Sequence, residues 1–280
     1  GEDVEGSGAD AHDHDGHSEE DGLEHDEAPS DKRVSLQFAL THGTTPVGCG
    51  AELVVGSDDA TVTLSDARVY VYDVALVDAD GATVPVVLDE NDWQRDGVGL
   101  LDFEDGTEAC TNGNAPTHTA LDGTVPAGDY VGLTFRVGVP AALNHADAAT
   151  ADPPLNFTAL FWSWQSGYKF IRIEALNGGP GLRLHLGSTG CTDVEGETVC
   201  ARGNRPLVTL DAFDADADTV LLDLQATWST SPAGSNTEGT APGCMSAPDD
   251  PECVGVFEAL ALGTDGEPMA GQRVFRVAPR

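Results

Sequence analysis

The side chains best suited to metal and redox chemistry in this chain are its 8 histidines, 4 tryptophans and 6 cysteines. Two of the tryptophans fall in one stretch, Phe161-Trp162-Ser163-Trp164-Gln165-Ser166-Gly167-Tyr168-Lys169-Phe170-Ile171-Arg172-Ile173-Glu174. Read as a strand, it sends Trp162 and Trp164 to one face, and beyond Gly167 it alternates Phe170, Arg172 and Glu174 with Ile171 and Ile173. A glycine between two β-prone runs marks a bulge or bend, which places this spot at the rim of a sheet. Histidines bracket it, His145 before and His185 after, and neutral imidazole is a good ligand for copper or zinc. An intact indole only donates its N–H and binds no metal. Oxidised and ring-opened to kynurenine, it would offer an aromatic amine and a ketone. The plainer alternative is that the histidines are hydrogen-bonded structural residues and the tryptophans are core.

The cysteines are even in number. Cys191 and Cys200 flank a short polar loop, Cys244 and Cys253 flank another, and neither pair has the spacing of a zinc ribbon. We expect disulfides 191–200, 244–253 and 49–110, and with them an oxidising compartment. Met245, beside Cys244, offers a soft thioether, but with Met269 as the other methionine no Met-rich copper site exists.

These residues need a frame to hold them. From Val34 onward, short runs rich in Val, Leu, Thr, Phe and Tyr are punctuated by Gly, Pro, Asp and Asn. That rhythm predicts an all-β fold, an antiparallel β-sandwich with long loops, stapled by disulfides and forming a single domain over 34–280. Strands are expected at 60–65 and 67–77, 158–164, 168–175, 181–187, 219–228, 254–262 and 272–277, among others. Loops are expected at 89–96, 140–157 and 230–253. Residues 1–33 form a separate low-complexity tail with 13 acidic residues and only Val4 and Leu23 as larger aliphatic side chains. Such a segment is expected to be disordered. Its His12, His14, His17 and His25 stand among carboxylates as an auxiliary metal-capturing arm, or as part of a solvated linker.

Net charge excludes some partners. With 13 basic against 48 acidic residues, at −35, the chain would be repelled by nucleic acid and by anionic membrane surfaces. No run of about 18 apolar residues spans a bilayer, and no signal peptide is visible. Phe213-Asp214-Ala215-Asp216-Ala217-Asp218 mimics the start of a calcium loop, but Thr219 stands at the sixth position from Asp214 and Gln225 at the twelfth, where glycine and glutamate belong. An acidic turn is the expectation. No phosphate loop, GxSxG elbow or HExxH helix is present, so standard hydrolase and nucleotide chemistry lacks support.

The longer motifs resemble a known family. Trp162-Ser163-Trp164-Gln165-Ser166-Gly167-Tyr168-Lys169-Phe170, His185-Leu186-Gly187-Ser188-Thr189-Gly190-Cys191, Cys244-Met245-Ser246 and Asp250-Pro251-Glu252-Cys253 are similar to segments of the methanobactin-associated MbnP family, also described as "metallo-mystery pair" four-Cys-motif proteins. Leu100-Leu101-Asp102-Phe103-Glu104-Asp105-Gly106, Asn144-His145 and Pro154-Leu155-Asn156 support it, and the likeness runs from about Val34 to the C-terminus. The resemblance implies a secreted or periplasmic copper-binding protein, often lipid-anchored and not itself an enzyme. It implies a dihaem c-type MauG-like (MbnH-type) peroxidase partner that oxidises a tryptophan to kynurenine, which then helps histidines bind copper, Cu(I) favoured, in copper homeostasis. Cys191, Cys200, Cys244 and Cys253 correspond to the four-Cys motif. His145, His185, Trp162 and Trp164 are the implied metal site, and Trp164, Trp162 and Trp93 the candidates for modification. His42 and His118 lie outside the motifs. A second reading is a carbohydrate- or surface-binding sandwich in which Trp162, Trp164 and Tyr168 form an exposed stacking platform.

Overall fold

The computed structural model describes residues 30–163, 167–179 and 181–280. His12, His14, His17, His25 and Trp164 lie outside the described residues. The predicted all-β class is what the chain adopts, with little helix and three disulfides.

The larger sheet is built on one strand, Ala60–Asp78, which is 19 residues long. It runs antiparallel to Ile171–Leu176 and Tyr130–Val137, and also to the shorter Glu52–Val55, Val98–Asp102 and Thr83–Pro85. Leu182–Leu186 and Leu207–Asp211 complete its outer edges. The predicted break between 65 and 67 is a bulge and not a turn: Glu174 faces Asp66 and Ala175 faces Leu64, leaving Ser65 as the extra residue. Asp66 looked like a turn residue because it is acidic; it stays inside the strand because two arginines neutralise it.

The smaller sheet is ordered Phe275–Pro279, Asp218–Asp223, Asp31–His42, Ala120–Pro126 and Val87–Leu88. Its strand Asp31–His42, which begins before the tail boundary expected at residue 33, is parallel to Asp218–Asp223 and antiparallel to Ala120–Pro126. The two sheets meet through aromatic edges. Phe135 of the large sheet sits between Phe38 and Phe275 of the small one, with centroids 5.8 and 5.3 Å apart and ring planes at 76° and 89°. Edge-to-face contacts of this kind add about 0.5–1.5 kcal/mol each beyond the area they bury.

Several expectations are corrected. Residues 251–259, read partly as loop and partly as strand, form the helix Pro251–Ala259, with Asp250 accepting from the Glu252 N–H, Pro at the first turn and Glu252 beside it. The Asp-Pro-Glu sequence is a helix start, but the Val254-Gly255-Val256-Phe257 run after it has strand composition. The strand expected at 219–228 stops at Asp223, where that side chain caps the short helix Leu224–Thr227. The strand expected at 158–164 begins only at Phe161, after a 3-10 turn at Thr158–Leu160, and Phe161–Trp162 pairs back on Gly167–Tyr168 as a hairpin. Two strands were not foreseen as a pair, Thr189–Val194 and Glu197–Arg202, which form a hairpin of their own.

Truncating the central ring tests the sandwich. Phe135→Ala is expected to cost about 3–5 kcal/mol in denaturant unfolding with an unchanged slope; a loss under about 1 kcal/mol would show that the sheets do not depend on this contact.

Candidate metal centre

One face of the large sheet packs on the small sheet. Its other face carries a row of charge. Directly opposed residues in neighbouring strands share a face, and the register aligns His118 with Asp102, Asp102 with Arg68, Arg68 with Arg172, and Arg172 with His185. Next to this row Asp66 faces Glu174. Asp66 holds Arg68 at 2.5 Å and Arg172 at 3.0 Å; Arg172 also reaches Glu174 at 3.1 Å. Glu174 Oε1 lies 2.6 Å from His185 Nε2.

These charges are buried because the segment from Pro140 to Trp162 covers them. Tyr70 and Tyr168 donate their hydroxyls to the carbonyls of Pro154 and Leu155. Lys169 and Arg172 both donate to the Ala159 carbonyl. The cover ends in the aromatic hairpin.

His185 is fixed by this arrangement. Burial alone would raise the Glu174 pKa, but hydrogen bonds from His185 and Arg172 and the Arg172 charge prevail and hold it at about 2. An ionised carboxylate only accepts, so His185 Nε2 carries the proton. Burial, outweighing the pull of Glu174, lowers the His185 pKa and keeps the ring neutral. Its lone pair is therefore on Nδ1, which is buried and has no hydrogen-bond partner among the described residues. Trp162, 5% exposed, sits with its ring centroid 6.3 Å from the imidazole. The indole occupies the space beside Gly187, where a Cβ would come within 2.7 Å of Trp162 Cζ3.

His145 approaches the same hairpin. A Cβ on Gly167 would lie 3.4 Å from its Cε1, and Gly167 is the cross-strand partner of Trp162, so His145 meets the hairpin face that carries the Trp162 side chain. Asn144, buried beside it, accepts from the Tyr168 N–H at 3.1 Å and places its Nδ2 3.2 Å from His145 Nε2.

The three disulfides join 49 to 110, 191 to 200 and 244 to 253, matching the spacing-based expectation. Each of the two local ones abuts a histidine. Cys200 Sγ is 3.4 Å from His145 Nε2. Cys244 exchanges backbone hydrogen bonds with the His185 strand, and Ser246 donates to the His185 carbonyl while accepting from the Gly187 N–H.

Other candidates go elsewhere. Trp93 stacks on His118, with centroids 5.4 Å apart, and on Phe157. His118 stands at the far end of the charged row, roughly 19 Å from His185 at about 4.8 Å per strand. His118 Nδ1 bonds the Leu100 carbonyl and His42 Nε2 the Val54 carbonyl, so both satisfy the structural alternative. The 213–218 run is an acidic turn braced by Lys32 on Asp216 and by Arg280 on three of its carbonyls. Sequence reasoning missed Glu174, Gly187, Asn144 and Ser246 as parts of this site. The polar alternation Arg172, Glu174 in an otherwise apolar strand was the available signal for Glu174; the others carry none that spacing reveals.

Fold and site together define a class: a disulfide-stapled β-sandwich with a covered, charged sheet face, on which two histidines and a tryptophan gather around one short hairpin. The chain belongs to the MbnP family, whose family model matches residues 31–246. The solved structure of MbnP from Methylosinus trichosporium matches it with a TM-score of 0.81 at 37% identity, covering 89% of this chain and 99% of that one. No curated protein matches the sequence.

Asp102 gives the row a pH signature. Burial pushes its pKa up from 3.8 to about 7, despite the Glu104 N–H and the Arg68 charge. The folded chain thus keeps a proton that the unfolded chain releases, so this group's stabilisation is present below pH 3.8 and is lost as pH rises through about 7. Measured by Tm, Asp102→Asn is expected to gain on wild type across that window; a constant difference would mean that the carboxyl is ionised throughout.

Proposed function

We propose that this chain is an extracytoplasmic copper-binding protein, not an enzyme, whose site lies between the aromatic hairpin and the charged sheet face. The observation that carries this reading is His185. A buried imidazole with Nε2–H given to a carboxylate and a bare Nδ1 beside it is the arrangement in which an outer carboxylate orients a metal-binding histidine. His185 would supply Nδ1, and His145, on the same hairpin face, a second imidazole. A copper ion there, in this reading Cu(I), would be held by imidazole nitrogens for homeostasis and not for catalysis.

The third donor in this reading is kynurenine formed from Trp162 or Trp164 by a dihaem MauG-like partner. Trp162 is the better-supported of the described candidates because its ring lies against His185. Trp93 belongs to the His118 end of the row. At a net charge of −35 a basic docking face would suit the partner. Membership of the MbnP family supports the copper reading, and the disulfides support an oxidising compartment. No helix among the described residues is long and apolar enough to cross a membrane. The platform alternative is disfavoured by burial, since Trp162 and Tyr168 are both withdrawn from solvent.

Intact mass and peptide mapping of protein from its native host, with copper titration of variants, test this. A kynurenine mass shift is expected on the peptide holding Trp162 and Trp164. His185→Ala should abolish tight copper uptake by the folded domain, and Glu174→Gln should weaken it by about 10–100-fold while the fold is retained. Unmodified tryptophans, with copper held only by residues 1–33, would sink the proposal.

A further inference from the structure

The Cys191–Cys200 disulfide differs from the other two in its setting. It joins directly opposed residues near the base of the hairpin Thr189–Val194 and Glu197–Arg202, whose remaining side chains are mostly exposed, and both of its cysteines are half-buried. Each of the other disulfides includes at least one fully buried cysteine, Cys110 at 1% and the pair Cys244 and Cys253 at 1% and 0% exposed. His145 Nε2 lies 3.4 Å from Cys200 Sγ, and a ring nitrogen of His145 and the two sulfurs all fall within 4.8 Å of one another.

Disulfide sulfurs are poor metal ligands. Thiolates are strong ones, and two thiolates with an imidazole form a donor set for Cu(I) or Zn(II). Metal–sulfur bonds of about 2.3 Å and metal–nitrogen bonds of about 2.0 Å would fit within the spread that the three atoms already have. The hairpin register holds both cysteines in place whether or not the bond is closed.

We infer that Cys191, Cys200 and His145 form a second, redox-gated site for a thiophilic cation, closed while the disulfide stands and opened by a dithiol reductant. A thiolate of the reductant attacks Cys191 Sγ and expels Cys200 Sγ, which leaves beside His145; the reductant's second thiol then closes its own disulfide and releases Cys191. Two electrons pass from the dithiol to the cystine. The two thiols formed give up their protons when the cation binds. Because His145 is shared with the copper site proposed above, opening this site would draw one imidazole away from it.

The test uses the full chain with unmodified tryptophans, so that its result does not depend on kynurenine. A limiting amount of dithiothreitol is followed by anaerobic desalting, thiol counting, alkylation mapping and titration with Co(II). Two thiols at Cys191 and Cys200 are expected, with one equivalent of Co(II) bound and a sulfur-to-cobalt charge-transfer band. The band should be absent from the oxidised protein and from the folded C191S/C200S variant, whose tail and ring histidines contribute no sulfur. In His145→Ala affinity should fall by at least about tenfold, since losing a ligand costs no less than losing an outer partner. First reduction at another disulfide, free thiols with no band, or unchanged affinity in His145→Ala would each overturn the inference.

Discussion

The row of buried charge on the outer face of the large sheet is the constraint from which the rest of the site follows. An unpaired charge in that position would cost several kcal/mol, so each group there needs a partner and a cover. Asp66 balances two arginines, Arg172 links it to Glu174, and Glu174 ends the chain on His185. The Pro140–Trp162 segment supplies the remaining acceptors from its backbone, notably the Ala159 carbonyl. The ion pairs are therefore better understood as positioning His185 and its tautomer than as a source of net stability, since apolar residues of the same volume would stabilise a sheet face at least as well.

The disulfides act on the same geometry from outside. Cys244–Cys253 ties the segment that hydrogen-bonds the His185 strand to the helix Pro251–Ala259, and Cys191–Cys200 closes the hairpin that stands against His145. The four-Cys motif thus brackets the two histidines in space, although in sequence it lies wholly C-terminal to both. MbnP from Methylosinus trichosporium shares this fold over nearly all of its length.

Much of this was legible in the sequence, and the failures have physical causes. Alternation and turn residues specified strands, and the tight spacing of 191–200 and 244–253 specified local disulfides. The residues before the helix at 251–259 announced its start, but a Val-Gly-Val-Phe run reads as strand by composition; burial against the core overrides propensity there. Asp66 was misplaced because an acidic residue in a β-run ordinarily ends it, and only tertiary pairing with Arg68 and Arg172 reverses that. His145 and His185 were found by their nearness to the aromatic stretch. What orients them was not, because Glu174 and Asn144 act through contacts that no linear spacing reports.

The parallel pairing of Asp31–His42 with Asp218–Asp223 governs how the chain can be made. Asp31–His42 meets this neighbour about 180 residues later in the sequence, and that neighbour in turn pairs with Phe275–Pro279. Such long-range pairing is slow, and until it forms one edge of Asp31–His42 stays open, while the other is covered by Ala120–Pro126. Such an edge invites wrong pairing until Asp218–Asp223 docks on it, so the small sheet closes late in folding.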